Sequence, residues 1–269
     1  LFKYNPDCGY LNDTECAYWF LFKDDYLLVK KGSLEQTALL KCNKIDLSNI
    51  RIHFCSIFEH INGIYCIYGE IDDSFNANDF QLERFRVRAP VLPIEIFNLT
   101  GRAFQLVNWE RTHQFCGQCG NPMVKSTKEF AMHCPNCGIA NYPRISPAVI
   151  VAIIKEKKLL LARRKEFEMN SLIAGYVEAG ETLEEAVNRE VKEEVGLNVK
   201  NIRYFSSQPW AFSYSLMVAF IADYESGDIQ PDGIEIEFAD WYSTDNLPDK
   251  IPGHLSIARK MIDAFCLMD

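Results

Sequence analysis

Between Gly175 and Leu197 the chain reads GYVEAGETLEEAVNREVKEEVGL. Glu190 and Glu194 are four apart and Glu193 is three beyond Glu190, so at helical spacing the three carboxylates share a side. Like charges so placed repel, and a divalent cation bound with a phosphate ester is the natural balance. Such a group can hold Mg2+ or Mn2+ and help take a proton from water. Arg189 can steady a carboxylate through its fork of donors, Glu181 enters from the preceding turn, and Gly175 permits close approach or an unusual backbone angle. The bland alternative is a solvated acidic face with chance spacing.

A second chemistry lies upstream. Cys116-x-x-Cys119 and Cys134-x-x-Cys137 are separated by 14 residues, and four thiolates in two tight loops suit a tetrahedral, structural Zn2+. With four sulfurs no position stays open for water, and His133 is surplus to a full shell. Redox pairs or buried free thiols are the competing reading. Further on, Ser207–Ser215 reads SQPWAFSYS. Its rings Trp210, Phe212 and Tyr214 could form a stacking wall for a flat base, or equally a buried strand edge.

The elements that must position these groups follow from patterning. Thr182–Val195 is expected to be a helix, with Thr182 and Glu185 as a capping box, Leu183, Ala186, Val187, Val191 and Val195 as its apolar face, and Gly196 as its exit. Ala148–Ile154 and Leu159–Arg163 read as strands joined by a turn, as do Ile202–Phe205, Leu216–Ala222 and Phe238–Tyr242 as strands, with a closing helix at Ile257–Phe265. Together they predict a mixed α/β layered domain from about residue 140. Before it, Tyr18–Phe22, Tyr26–Val29, Ile50–Phe58 and Ile61–Tyr68 predict a mostly β domain, Asp72–Asn78 a loop, and Ala103–Arg111 a helix. The division expected is 1–110, a zinc-binding element at 111–140, and 141–269.

The 269 residues, 48% apolar, suffice for two ordinary domains, and a formal charge of -9 argues against a surface built to hold nucleic acid non-specifically. The ten cysteines fit a reduced compartment better than a disulfide framework. The longest apolar run, Ala148–Ile154, is far short of a spanning helix and no secretory leader is visible, so a cytoplasmic protein without membrane contact is expected. The chain starts at Leu1 rather than Met, and a few upstream residues are expected to be missing.

Gly175, Glu181, Arg189, Glu190, Val191, Glu193, Glu194, Gly196 and Leu197 fill every fixed position of G-x5-E-x7-R-E-U-x-E-E-x-G-U, with U aliphatic. This resembles the Nudix hydrolases, which cleave a nucleoside diphosphate linked to another moiety and have an α/β/α sandwich fold. Within them the zinc element, Tyr142-Pro143-Arg144, the stretch SQPWAFSYS and the ending GHLSIAR (253–259) resemble the NADH pyrophosphatases. That subfamily has SQPWPFPxS; Ala211 and Ser213 stand where it has prolines, which is expected to loosen this stretch and blur NADH preference.

The resemblance implies catalysis by Glu190, Glu193 and Glu194 with Arg189 and Glu181, and Mg2+ or Mn2+ on Glu190, Glu194 and Glu235, Glu237 being a near competitor for the last place. It implies substrate contacts from Gln208, Trp210, Phe212 and Ser215, a nicotinamide ring between Tyr142 and Tyr176, and Ala258 supplied by the second subunit of a homodimer with shared sites. The implied reaction is metal-dependent hydrolysis of NADH or NAD+ to a nicotinamide mononucleotide and AMP. The alternative is removal of an NAD cap from RNA by the same chemistry. A zinc-ribbon nucleic-acid-binding or regulatory protein with an inactive Nudix domain is the reading from a different class.

Overall fold

The computed structural model describes residues 3–5, 17–31, 40–42, 52–59, 65–72, 79–166 and 168–267. The starts of the expected strands at 50 and 61 and most of the expected loop 72–78 lie outside these. The chain forms two compact units, Leu1–Arg144 and Ile145–Asp269. No helix among the described residues is long and apolar enough to cross a membrane.

The first unit carries β1 (Lys3–Asn5), β2 (Ala17–Lys23), β3 (Tyr26–Lys30), β4 (Leu40–Cys42), β5 (Ile52–Glu59), β6 (Tyr65–Ile71) and β7 (Phe80–Arg84). They form one sheet in the order β1-β5-β6-β2-β3-β7, with β4 beside β2. A short helix α1 (Phe85–Arg88) precedes α2 (Ile94–Thr112), which starts nine residues before the expected Ala103. Asn98, Thr100 and Gly101 are poor helix formers and blur the periodicity. Burial of Phe97, Leu99, Ala103 and Phe104 holds the helix instead, with Phe85 and Phe104 rings 5.5 Å apart. After α2 come three short antiparallel strands, β8 (Val124–Lys125), β9 (Met132–His133) and β10 (Ala140–Asn141). Lys125 Nζ lies 2.6 Å from the buried Glu110 carboxylate, which also accepts from Tyr68 Oη at 2.6 Å. This lysine therefore ties the ribbon to α2 and β6 and is not free for nucleic acid.

The second unit contains β11 (Ser146–Lys155), β12 (Lys158–Arg164), β13 (Asn170–Ser171), β14 (Ile173–Tyr176), α3 (Leu183–Val195), β15 (Asn198–Trp210), β16 (Ser215–Ser226), β17 (Ile236–Tyr242) and α4 (Ile257–Cys266). The order is β13-β12-β11-β16-β15, with β14 on β11 and β17 on β12. Glu156 and Lys157 turn β11 into β12 with φ of 48° and 62°, the twist a two-residue hairpin needs. The period of two sorts the side chains. Val149, Val151, Ile153, Leu160 and Ala162 face α3, while Ile150, Ala152, Leu159 and Leu161 face α4. Two apolar layers on opposite faces of one sheet make the expected α/β/α sandwich. Strands β13 and β14 were not expected: four residues around Gly175 show no alternation, and pairing of Ala148–Val151 with 173–176 makes the strand.

Candidate active site

Helix α3 forms where local chemistry demands. Thr182 Oγ1 accepts from Glu185 N at 3.2 Å and Glu185 returns the bond to Thr182 N at 2.8 Å. Gly196 closes the helix in the left-handed region at φ 73°. The apolar face sinks into the sheet, and this fixes which carboxylates are dry. Glu194 is 4% exposed; the Glu193 side chain, one residue earlier, is 61% exposed.

Gly175 acts by close approach. A Cβ there would stand 2.0 Å from Glu190 Cδ and Oε1, so the carboxylate fills the space of the missing side chain. Arg189 engages all five donors. Nε and Nη2 hold Glu181 at 2.5 and 3.0 Å, Nη2 also holds Tyr176 O at 2.9 Å, and Nη1 holds Glu190 at 2.8 Å and Glu193 at 3.1 Å. Its fork thus anchors the helix to β14 and to the loop before it. Arg189 bonding, aided by the Glu178 N–H, holds the Glu181 carboxyl down to about 2. Burial pushes Glu190 up against the pull of Arg189. It pushes Glu194 to about 7, a rise that Arg164 limits and that Glu190 and Glu235 reinforce.

Two residues outside the expected set complete the surroundings. Arg164, at the end of β12, donates from Nη2 to Glu235 at 2.7 Å and to Glu194 at 3.3 Å. Asp232 accepts from the N–H groups of Ile234, Glu235 and Ile236 at 3.2, 3.2 and 2.8 Å and so holds the turn that presents Glu235. The register shift between Arg163 and Arg164 makes Glu237 the extra residue of β17. Glu237 pairs with Arg163 at 2.7 Å; of the two competing glutamates, Glu235 is the one that shares Arg164 with Glu194.

The donors fit a hard divalent cation. Glu194 Oε2 is buried with no hydrogen-bond partner, and Glu190 lies held in the Gly175 cradle. Among the described residues, the only three or more potential ligand atoms within 4.8 Å of one another are the sulfurs of Cys116, Cys119, Cys134 and Cys137. The carboxylates stand wider apart, with Arg164 between Glu194 and Glu235.

The sulfur cluster fits zinc well. Cys116 and Cys137 Sγ are 3.5 Å apart and Cys119 and Cys134 Sγ 3.4 Å, near the ~3.8 Å that tetrahedral Zn–S bonds of ~2.3 Å require. Each knuckle closes alike, Gly120 N on Cys116 O at 2.9 Å and Gly138 N on Cys134 O at 3.0 Å, with φ of 71° and 77°. His133 lies outside the cluster, 3.9 Å from Glu129.

The stretch 207–215 is both strand and turn: Ser207–Trp210 end β15, Ala211–Ser213 form a 3-10 turn, and Ser215 opens β16. Trp210 and Phe212 meet edge to face at 5.3 Å. Ser213 Oγ lies 2.9 Å from Ser215 Oγ, a bond a proline at 213 could not make, and it opposes the expected loosening. Ser215 is buried and donates to Tyr176 Oη at 3.4 Å; the Tyr176 ring is half exposed. Tyr142, half exposed in the first unit, donates to Glu129 at 3.3 Å.

Two expected substrate residues also take part in holding α4. Gln208 donates to Leu255 O and accepts from Ile257 N, both at 2.7 Å, clamping the start of α4. Ala258 is 7% exposed, packed in the core layer beneath α4, opposite the face that carries α3. The clamp uses one of the two amide N–H groups of Gln208.

The NUDIX domain model matches residues 144–265, and the NADH pyrophosphatase zinc ribbon domain matches 111–142. A Photobacterium profundum protein named NAD-capped RNA hydrolase NudC is 42% identical over 258 residues, 94% of this chain and 92% of that protein. Proteins of the same name from Klebsiella pneumoniae and Chromobacterium violaceum are 50% and 48% identical over 62% and 65% of this chain, in each case spanning 66% of the relative. With the carboxylate helix, the four-sulfur knuckles and near full-length similarity, the chain belongs to the Nudix hydrolases that carry the NADH pyrophosphatase zinc ribbon.

Proposed function

We propose that this protein hydrolyses the pyrophosphate bond of NADH, and of NAD+, giving a nicotinamide mononucleotide and AMP. The observation that carries this reading is the carboxylate set gathered around α3. Glu190 lies in the Gly175 cradle, Glu194 is buried with a free oxygen, and Glu235 is presented by Asp232, in a chain of the zinc-ribbon Nudix family. Glu190, Glu194 and Glu235 would hold Mg2+ or Mn2+, which supplies charge neutralisation at the pyrophosphate and an acidified water. Glu193, the exposed member, would take a proton at its carboxylate, while Arg189 and Glu181 keep the helix in register with β14. Tyr176, Trp210, Phe212 and Ser215 form the proposed substrate wall of the second unit. Tyr142 would stack on the nicotinamide ring, and the segment around Ala258 would come from a second copy in a homodimer. Gln208 serves by positioning α4. A cytoplasmic setting is proposed because a four-thiolate zinc site needs reduced cysteines.

The second reading is hydrolysis of the NAD cap of RNA by the same bond cleavage. It rests on the relatives named for that activity. The purified protein is incubated with Mn2+ or Mg2+ and equal concentrations of NADH, NAD+, ADP-ribose, a diadenosine polyphosphate and NAD-capped RNA, and products are quantified. Preferential release of reduced nicotinamide mononucleotide with AMP supports the first reading. Preference for capped RNA supports the second, and an absence of metal-dependent AMP release sinks both.

A further inference from the structure

Two arginines touch the carboxylates, and they are held very differently. Arg189 has all five N–H groups engaged and a side chain 22% exposed. Arg164 is 46% exposed and reaches Glu194, Glu235 and the Ala174 carbonyl through Nη2 alone, at 3.3, 2.7 and 3.4 Å. The first arginine is locked. The second is a cation on a long stem with open solvent beside it, and a guanidinium held by one nitrogen forgoes the paired bonds that make such contacts strong.

We propose that Arg164 is a resident counter-cation that competes with a divalent metal for Glu194 and Glu235. This rests on the reading of those carboxylates as metal ligands. Two glutamates, one buried, would repel without a positive group between them, and Arg164 supplies it when metal is scarce. A metal ion entering there meets a like charge that has to swing outward, which its exposure allows. The register shift in β17 beside Arg164 sets the arrangement by splitting the two arginine–glutamate pairs, Arg163 with Glu237 and Arg164 with Glu235.

The test is Mn2+ titration of the substrate-free protein, read by the electron paramagnetic resonance signal of free Mn2+, for wild type, Arg164→Gln, Arg164→Met, Arg164→Lys and Glu194→Gln. Removing one charge near the site should tighten Mn2+ binding about three- to tenfold in both neutral variants. Arg164→Lys keeps the charge and should stay near wild type, and added salt should shrink the difference. Thermal melts confirm that each variant is folded, the two neutral side chains serving as mutual checks. Unchanged or weaker Mn2+ binding in folded Arg164→Gln and Arg164→Met, with binding lost in Glu194→Gln, overturns the role of Arg164 and leaves the metal site standing. Undiminished binding in Glu194→Gln overturns the metal-site reading and this inference with it.

Discussion

Replacing Gly175 with alanine adds one methyl group where the Glu190 carboxylate now lies. The new Cβ would sit 2.0 Å from Cδ, whereas ordinary contact begins at about 3.4 Å, so the carboxylate must retreat by about 1.4 Å. Because the clash is with the far end of a flexible side chain, the backbone need not move. The retreat breaks the 2.8 Å bond to Arg189, a charged hydrogen bond worth ~1.5–3 kcal/mol. Alanine in place of glycine in a strand returns ~0.5–1 kcal/mol. The net loss of stability is therefore about 0.5–2.5 kcal/mol, a fall in Tm of no more than ~10 °C. Function should suffer far more, since misplacing a reacting group by ~1 Å costs ~100-fold in rate. The assay is kcat for AMP release from NADH at saturating Mn2+, beside a far-UV melt of the same sample. A folded Gly175→Ala protein with kcat within about threefold of wild type would refute the argument that the cradle sets the carboxylate.

Burial raises the Glu194 carboxyl to about 7 from an ordinary 4.5, so the folded state holds this proton more tightly than the unfolded chain does. The associated stability is complete below pH 4.5 and is lost as pH rises through 7, a total of roughly 3 kcal/mol in metal-free protein. Glu194→Gln should remove this dependence. Without metal the variant should match wild type in acid and melt several degrees higher above pH 7, while its AMP release nearly vanishes at saturating Mg2+ or Mn2+. Parallel melting curves across that range would show that the buried carboxyl is not the source. Asn121, through its backbone N–H and then its side chain, holds the Cys119 thiol below its ordinary value, which favours the thiolate that zinc takes. Cys119→Ser should cut bound zinc per chain, measured by a chromogenic chelator after denaturation, and open residues 111–142 to protease. Full zinc content in that variant would count against a four-sulfur site.

The helix that carries the chemistry was legible in the sequence because its signals are local. Thr182 and Glu185 cap it, five apolar residues repeat at its period, and Gly196 ends it, each within one or two turns of its partner. The cysteine knuckles were legible for the same reason: two residues between sulfurs and a glycine after them define each loop. The apolar runs of β11 and β12, with the strands and helices expected around them, likewise foretold the layered fold. Tertiary structure alone decided what the local pattern leaves equal. Glu193 and Glu194 are neighbours of one chemistry, yet the packing of α3 on the sheet leaves one wet and drives the other into a dry site. Glu235 and Glu237 look interchangeable in the sequence until an extra residue in β17 hands them to different arginines. Gln208 and Ile257, 49 residues apart, became one hydrogen-bonded joint only when β15 and α4 met. Burial, register and long-range pairing are properties of the assembled sheet, and no short stretch of residues encodes them.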